Sequence, residues 1–306
     1  MPERERDDED LEDIFDSSLF TLFSIPPIGF APDPKDGYYT YNPPEGSTGD
    51  QGSRDKIRSV RLKIPEPPSK FYTTLQAQLV WPSAIYLADL ICRRIIDVKG
   101  KNVIELGSAA GLPGVVSFLN DARKVVSTDY PIDEVLDVLR GNFSRAERSL
   151  VFDLEQTAAQ NARSEQSDEE GDKELKKWEV MGHCWGENTS PLLALIPTTT
   201  ESPKPKKFDT ILAADVLWTT SSHSILLDSI TSLLAENGIA HITAGLHTGR
   251  GPVERFLVSA KERGFTVDYK GEVRLRGDGK WDEYDESLAK KGEEERGVVV
   301  WFTLTL

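Results

Sequence analysis

The sequence predicts an α/β protein with a Rossmann-like seven-stranded sheet, mostly parallel, with one antiparallel strand near its C-terminal edge. Three observations favour this fold. Apolar strand-like segments alternate with amphipathic helix-like segments along most of the chain. A bend of small residues follows the apolar segment 103–106, so the backbone can turn tightly there. Two successive strand-like segments, 265–275 and 298–304, close the chain, which indicates an antiparallel edge.

The order of the predicted elements defines the sheet. Strands are predicted at 103–106, 124–128, 178–184, 208–214, 239–246, 265–275 and 298–304. Helices are predicted at 82–95, 111–119, 132–139, 225–234 and 256–263. An alternating pattern of apolar and polar residues predicts an added strand within 57–64.

The chain divides into an N-terminal extension and one larger domain. Residues 1–55 are acidic at first and then rich in proline and glycine, so we expect a largely disordered extension. Residues 56–306 form the predicted α/β domain, which is long enough to bury a full hydrophobic core. Two segments within it, 144–177 and 276–297, are strongly polar and are predicted to be surface insertions.

The charge of the chain argues against a protein that binds nucleic acid. The formal net charge is -15 at pH 7, whereas affinity for phosphates comes from clustered lysine and arginine. An acidic surface attracts a basic partner instead, such as a lysine-rich protein. The alternative is that the acidic residues only solvate disordered segments.

Composition also bears on location and assembly. No apolar run approaches the length of a membrane-spanning helix, and the acidic start has the wrong sign for a signal peptide. The chain has two cysteines, Cys92 and Cys184, which favours a reducing compartment over a disulfide scaffold. We therefore expect a cytoplasmic protein, with the nucleus as the alternative, no membrane partner and a monomeric state.

The bend at 107–111 is the clearest functional signal. Its pattern, Glu105-x-Gly107-x-Ala109-x-Gly111, lacks the glycine spacing of the dehydrogenase fingerprint and the Gly-Lys-Ser/Thr of a P-loop. Asp129 ends the next predicted strand, where an acidic side chain faces the ligand crevice of a doubly wound sheet and can bind both hydroxyls of a ribose. A small-residue turn in some other α/β protein remains the alternative.

The bend resembles the first motif of class I S-adenosylmethionine-dependent methyltransferases, with Ala109 where the commonest form has glycine. Four further segments extend the likeness: Val80-Trp81, Ser127 to Pro131, Cys184-Trp185-Gly186 and Ala213 to Trp218. Together they resemble the family 16 seven-strand methyltransferases, most of which methylate protein lysines. They are most similar to the fungal nicotinamide N-methyltransferase-like branch, which includes the elongation factor 1-alpha N-terminal and lysine methyltransferase. The likeness covers roughly residues 70–304.

The resemblance implies S-adenosylmethionine as the cofactor and assigns its contacts to particular positions. Trp185 would lie beside the adenine, and Trp81 would close the methionine end, although plain core packing is the alternative for both rings. The residues expected to bind the cofactor are Trp81, Glu105, Gly107, Ser108, Ala109, Gly111, Asp129, Trp185 and Ala214.

Asp215 and Trp218 are the candidate catalytic residues. Asp215 follows the predicted strand 208–214, so we expect its carboxylate to face the crevice and to bind and orient an amine. Trp218 would wall the amine's slot and contact the cation through its ring face, at a position where the family usually has tyrosine or phenylalanine. The alternatives are that Asp215 caps a following turn and that Trp218 is ordinary core.

Three functions fit these observations. The first is methyl transfer to a protein amine, lysine or N-terminal, with a translation elongation factor as an implied substrate. The second is methylation of a small amine such as nicotinamide, and the third is a catalytically inactive methyltransferase fold that binds a partner. The four histidines show no metal-ligand spacing, so no metal site is predicted. Of these, His247 either lines the acceptor pocket or lies in a solvated loop.

Overall fold

The computed structural model describes residues 29–45, 59–161, 176–197, 206–288, 295 and 297–306. Two strands, β1 (Tyr38–Tyr41) and β2 (Val60–Lys63), pair antiparallel in a small separate sheet. The remaining strands form one sheet, and they are β3 (Asn102–Leu106), β4 (Lys124–Asp129), β5 (Trp178–Gly182), β6 (Phe208–Ala214), β7 (Leu234–Gly245), β8 (Thr266–Leu275), β9 (Trp281–Glu283) and β10 (Val298–Thr305).

The main sheet has eight strands in the order β5-β4-β3-β6-β7-β10-β8-β9. The strands β3 to β7 run parallel to one another, and β10 lies antiparallel between β7 and β8. The predicted mostly parallel, Rossmann-like sheet is therefore confirmed, with its antiparallel strand near the C-terminal edge. The short β9 adds an eighth strand within the segment 276–297, which was predicted to be a polar insertion.

The strand order creates a crevice beside β3. The chain moves outward from β3 through β4 to β5 and then returns to the other side of β3 with β6. The loops after β3 and β6 therefore leave in opposite directions at the carboxyl ends of these strands. Ligands of open α/β sheets bind at such a switch point.

The helices cover both faces of the sheet. They are α1 (Tyr72–Leu75), α2 (Pro82–Cys92), α3 (Leu112–Leu119), α4 (Asp133–Asn161), α5 (Ser190–Leu193), α6 (His223–Leu233) and α7 (Gly251–Glu262). One hydrophobic core includes residues of α2, α3 and α4, and a second includes residues of α6 and α7. Parallel strands buried on both faces need near-continuous apolar sequence, which β3 and β6 provide.

Helix α4 is much longer than the predicted segment 132–139. It continues to Asn161, into the segment predicted to be a polar insertion. Its buried residues Leu136, Leu139, Phe143 and Ala146 recur at helical spacing, so one narrow stripe anchors an otherwise polar helix. Residues 162–175 of the predicted insertion at 144–177 lie outside the described residues.

Part of the predicted extension packs on the domain. The hydroxyl of Tyr41 in β1 donates a hydrogen bond of 2.7 Å to Oδ1 of the buried Asp89 in α2. Nε1 of Trp281 in β9 donates to the other oxygen of Asp89 at 2.9 Å. Strands β1 and β9 are therefore both held to α2 through Asp89. The disorder expected for 1–28 and 46–55 falls outside the described residues and stays a prediction.

No helix in the described ranges is both long enough and apolar enough to cross a membrane.

Candidate active site

The loop after β3 turns through several left-handed residues. Gly107, Ala109 and Gly111 have φ values of 71°, 46° and 78°. A Cβ atom on Gly107 would lie 2.9 Å from Cγ1 of Val216 and 3.2 Å from Cζ2 of Trp185. Such contacts are too close for a side chain, so glycine allows the loop after β3 to meet the loops after β5 and β6.

Asp129 fixes this loop through its buried carboxylate. Its Oδ2 accepts a hydrogen bond of 2.7 Å from the backbone N–H of Ala109, and its Oδ1 accepts one of 2.7 Å from the N–H of Tyr130. Burial raises the pKa of Asp129 to about 6, against the effect of these two amides. Each carboxylate oxygen has a further lone pair for a ribose hydroxyl. The two predicted halves of the nucleoside site, the loop and Asp129, are in direct contact.

Ser108 is the buried residue between the left-handed Gly107 and Ala109. Its backbone N–H donates to the carbonyl of Thr128 at 2.9 Å, and its own carbonyl accepts from the N–H of Gly111 at 2.7 Å. These two bonds close the turn at Ser108 and attach it to the end of β4. This arrangement holds the loop in one shape before any ligand binds.

Glu105 lies beneath the loop. Only 2% of its surface is exposed, and its Oε2 accepts a hydrogen bond of 2.8 Å from the hydroxyl of Ser127. Burial raises the pKa of Glu105 to about 7, so its carboxyl is easily protonated near neutrality. In the structure Glu105 contacts Ser127 of β4 and lies against Gly114 of α3, and a direct cofactor contact stays a prediction.

Gly114 is a residue of this site that the sequence did not single out. A Cβ atom there would lie 2.5 Å from Oε2 of Glu105, so glycine lets helix α3 approach the buried carboxyl. The sequence feature that could have identified Gly114 is its spacing, since it follows Gly111 by three residues and lies in the first turn of α3.

Trp185 is positioned by its neighbours. The N–H of Gly186 donates to Oγ of Ser229 in α6 at 2.9 Å, and Nε2 of His183 lies 3.1 Å from the same oxygen. The N–H of His183 also donates to the carbonyl of Asp129 at 2.8 Å. These bonds hold the half-buried Trp185 ring beside Gly107, where the sequence had placed an adenine neighbour.

Trp81 precedes α2 and is fixed at both its ring and its backbone. Its Nε1 donates to the carbonyl of Gln76 at 2.8 Å, and its backbone forms the N-cap of α2, with Pro82 in the first turn. Its ring stacks on His247, with the centroids 4.8 Å apart and the planes 23° from parallel. His247 is therefore packed against Trp81 and is not a solvated loop residue, while its place in the acceptor pocket stays a prediction.

Asp215 follows Ala214, the half-buried last residue of β6. Its backbone has a φ of 57°, a left-handed conformation that aspartate tolerates better than most residues. Its Oδ1 accepts from the N–H of Gly245 at 3.2 Å and lies 3.9 Å from Nδ1 of His247. Among the described residues, its buried Oδ2 has no hydrogen-bond partner. A free buried oxygen is costly, so a ligand is expected to pair with it.

The alternative that Asp215 caps a following turn is wrong. Its carboxylate accepts from Gly245 at the end of β7, and the next helical turn begins only at Thr220, with Thr219 as the cap position. Burial raises the pKa of Asp215, while the nearby His247, the amide of Gly245 and the hydroxyl side chain of Ser83 oppose that rise.

Trp218 lies three residues further along the same loop. It is half-buried, so its side chain is neither plain core nor fully solvated. The preceding Leu217 is fixed because its carbonyl lies 2.8 Å from Nε2 of the buried His223 in α6. The role of Trp218 as a wall of the amine slot stays a prediction.

The described part of the chain contains no group of three or more histidine, cysteine, aspartate and glutamate side chains placed to hold a metal ion.

The chain is similar to several named proteins, although no family model matches it. It is 30% identical over 207 residues to the protein N-terminal and lysine N-methyltransferase EFM7 of Gibberella zeae, covering 65% of this chain and 70% of that relative. Against the protein of the same name from Kluyveromyces lactis it is 30% identical over 232 residues, covering 74% and 76%. The solved TehB-like SAM-dependent methyltransferase of Corynebacterium glutamicum aligns at 15% identity with a TM-score of 0.42, covering 78% and 95%.

Proposed function

Because the chain belongs to the family of protein N-terminal and lysine N-methyltransferases, we propose that its substrate is an amine of a basic protein. The protein is an N-methyltransferase, and S-adenosylmethionine is its cofactor. A translation elongation factor is the candidate substrate, and the cytoplasm is the proposed location. The proposal also places the chain in the nicotinamide N-methyltransferase-like branch of family 16, where the sequence motifs have their nearest likeness.

The cofactor fits the residues around the loop after β3. The observation that carries the proposal is the 2.7 Å hydrogen bond between the N–H of Ala109 and Asp129, which brings both nucleoside-binding motifs into one site. We assign the ribose to Asp129, the adenine to the side of Trp185, and the methionine end to Trp81 and the loop. The residues expected to complete the site are Gly107, Ser108, Gly111 and Ala214.

The acceptor amine is assigned to the free oxygen of Asp215. In S-adenosylmethionine the transferred methyl group is bonded to a positively charged sulfur. When a neutral amine attacks the methyl carbon, the sulfur leaves with the bonding electron pair. Asp215 can bind the incoming ammonium because a buried carboxylate with a spare oxygen favours a cation. The half-buried Trp218 is proposed to exclude water from the slot and to contact the cation through its ring face.

The charge of the protein supports a basic macromolecular substrate. The net charge of -15 would speed the encounter with a lysine-rich protein, and this steering weakens as salt is added. A small neutral amine such as nicotinamide would gain nothing from the same charge. The monomeric state remains part of the proposal.

Transfer of a tritiated methyl group from S-adenosylmethionine tests the proposal. The substrate would be a protein extract of Kluyveromyces lactis cells that lack the gene of the similar protein, so that target sites are unmethylated. We expect the wild-type chain to label protein, and the Asp215→Asn variant to do so about 100-fold more slowly, as expected when a group that binds or orients the reacting amine is lost. The matched control Asp137→Asn changes an exposed acid of α4 and should retain activity.

Two results would contradict the proposal. Label that appears only in a deproteinised extract would indicate a small-molecule acceptor. No transfer to either fraction, although calorimetry shows that the cofactor binds, would indicate a binding module. Retained cofactor affinity in Asp215→Asn is required for its loss of activity to be assigned to the acceptor.

A further inference from the structure

The proximity of Asp215 and His247 allows these two residues to do more than bind an amine. We propose that the two residues prepare a lysine side chain for methyl transfer, with Asp215 binding its ε-ammonium group and the ring of His247 taking its proton. The inference rests on the proposed function, since it concerns the acceptor of the same reaction. It concerns lysine, the more basic of the two kinds of amine that the relatives' names mention.

His247 is held in one orientation. It lies in a short helical turn, Leu246–Thr248, directly after β7, and 16% of its side chain is exposed. Trp81 of the α2 N-terminus stacks on one face of the ring at a centroid distance of 4.8 Å. A Cβ atom on Gly245 would lie 2.9 Å from its Nδ1, so a glycine there leaves room for the ring. The imidazole is therefore placed by three separate elements.

The separation between the two groups leaves a position for a nitrogen. Nδ1 of His247 and Oδ1 of Asp215 are 3.9 Å apart, too far for a direct hydrogen bond. A single nitrogen carrying several hydrogens can lie about 2.8 Å from both atoms, at the normal hydrogen-bond distance. The unpartnered Oδ2 of Asp215 offers a further acceptor to the same ammonium group.

The two groups have opposite effects on the proton of the amine. A carboxylate stabilises the ammonium form, so Asp215 alone would hold the amine in its unreactive state. An imidazole is the side chain that most often accepts a proton in catalysis. Within the part of the chain that the structure describes, the ionisable group that faces His247 is Asp215, while Trp81 and the backbone of Gly245 are its uncharged neighbours. Asp215 can also stabilise the imidazolium that forms.

The proposed step is a proton transfer. One N–H bond of the lysine ammonium breaks, its electron pair stays on nitrogen as the lone pair, and the proton binds a ring nitrogen of His247. The imidazolium later releases this proton to water, which restores the neutral ring. A lysine side chain has a pKa of about 10.4 in water, whereas an α-amino group has one of about 8, so lysine depends on such a base more strongly near neutrality.

Two variants separate the proton-accepting role from packing. His247→Gln keeps a flat polar side chain, and His247→Phe keeps an aromatic ring against Trp81, but neither accepts a proton near neutral pH. The rate of tritium transfer at limiting amounts of the Kluyveromyces lactis extract would be measured from about pH 7.5 to about pH 9.5. Calorimetric affinity for S-adenosylmethionine and the midpoint of thermal unfolding provide readouts that do not depend on activity.

For both variants we expect a loss of about 100-fold at the lower pH, which is the usual contribution of a general base. The loss should shrink about tenfold per pH unit, because the neutral fraction of lysine rises at that rate below its pKa. Cofactor affinity should change less than about threefold. Peptide mapping of the wild-type product should place the label on lysine.

Three results overturn the inference while leaving the proposed function in place. These are protein labelling within threefold of wild type at about pH 7.5 in either variant, a loss that stays constant across the pH range, and label confined to an N-terminal amine. A wild-type chain that labels no protein overturns both this inference and the proposed function.

Discussion

The cofactor side and the acceptor side of the crevice differ in how their polar groups are satisfied. On the cofactor side, both oxygens of Asp129 accept backbone hydrogen bonds of 2.7 Å, and the loop makes further bonds to itself and to β4. On the acceptor side, one oxygen of Asp215 has a single longer bond of 3.2 Å, and the other has no partner in the described chain. The carboxylate of the first region is bonded at both oxygens without a ligand, whereas that of the second has one oxygen that still lacks a donor.

This difference suggests separate tasks for the two carboxylates. A buried acid that already binds two amides fixes a shape, and it can accept ribose hydroxyls without rearrangement. A buried acid with a free oxygen gains most from a cationic partner, and it gains nothing from a cofactor that supplies no donor there. Mutations in the two regions should therefore affect different steps.

The largest expected effect is on cofactor binding by Asp129→Ala. Loss of the carboxylate frees the N–H groups of Ala109 and Tyr130 and removes the ribose ligand, at about 1.5–3 kcal/mol for each charged hydrogen bond. We expect affinity for S-adenosylmethionine, measured by calorimetry, to fall by at least about 100-fold. Asp215→Ala should change the same affinity by less than about threefold. Equal losses of cofactor affinity in the two variants would mean that the cofactor side and the acceptor side of the crevice do not act separately.

A smaller effect concerns pH and the buried carboxyl of Glu105. Its pKa is raised by burial from 4.5 to about 7, so the folded protein binds this proton more tightly than the unfolded chain. The contribution of Glu105 to the free energy of unfolding is therefore fullest below pH 4.5 and is lost as the pH rises to about 7. The size of this loss is about 1–3 kcal/mol.

Chemical denaturation of Glu105→Gln across this pH range tests the effect. The amide carries no proton to lose, so the variant should become more stable relative to wild type as the pH rises. The exposed substitution Glu236→Gln is the matched control and should follow the wild-type profile. Parallel profiles for wild type and Glu105→Gln would show that Glu105 does not titrate in this range.

The smallest expected effect on activity comes from the anchor on α2, outside the crevice. Tyr41→Phe removes one of the two side-chain donors to the buried Asp89, which should lower the free energy of unfolding by about 1–3 kcal/mol. The rate of methyl transfer in the folded protein should change less than about twofold. Tyr269→Phe, at a half-exposed hydroxyl, is the control for loss of a surface hydrogen bond. A rate loss as large as that of Asp215→Asn would link this anchor to the site.

The sequence predicted the elements that carry strong local patterns. The sheet, the loop after β3 and the acids at the ends of β4 and β6 follow from apolar runs that stop at small or acidic residues. The likeness to a known family supplied Trp81 and Trp185, which lie at ends of elements around the crevice. Local sequence patterns were sufficient to predict contacts between residues at the carboxyl ends of neighbouring parallel strands.

The remaining features depend on contacts between distant segments. The stack of Trp81 on His247 joins residues from the start of α2 and the end of β7, and no local pattern encodes it. Strand β1 forms only because β2 pairs with it, and the long polar helix α4 is held by a narrow apolar stripe. The hydrogen bonds from β1 and β9 to Asp89 likewise cannot be predicted from local sequence, because only the fold brings these segments together.

Peptide mapping after incubation with S-adenosylmethionine carrying a deuterated methyl group tests the central claim most directly. The wild-type chain, supplied with unmethylated Kluyveromyces lactis protein, should place the heavy methyl on an amine nitrogen of a protein, and specifically on a lysine. A heavy methyl found only on a carboxylate, a nucleic acid or a small metabolite, or on nothing at all, would contradict the account.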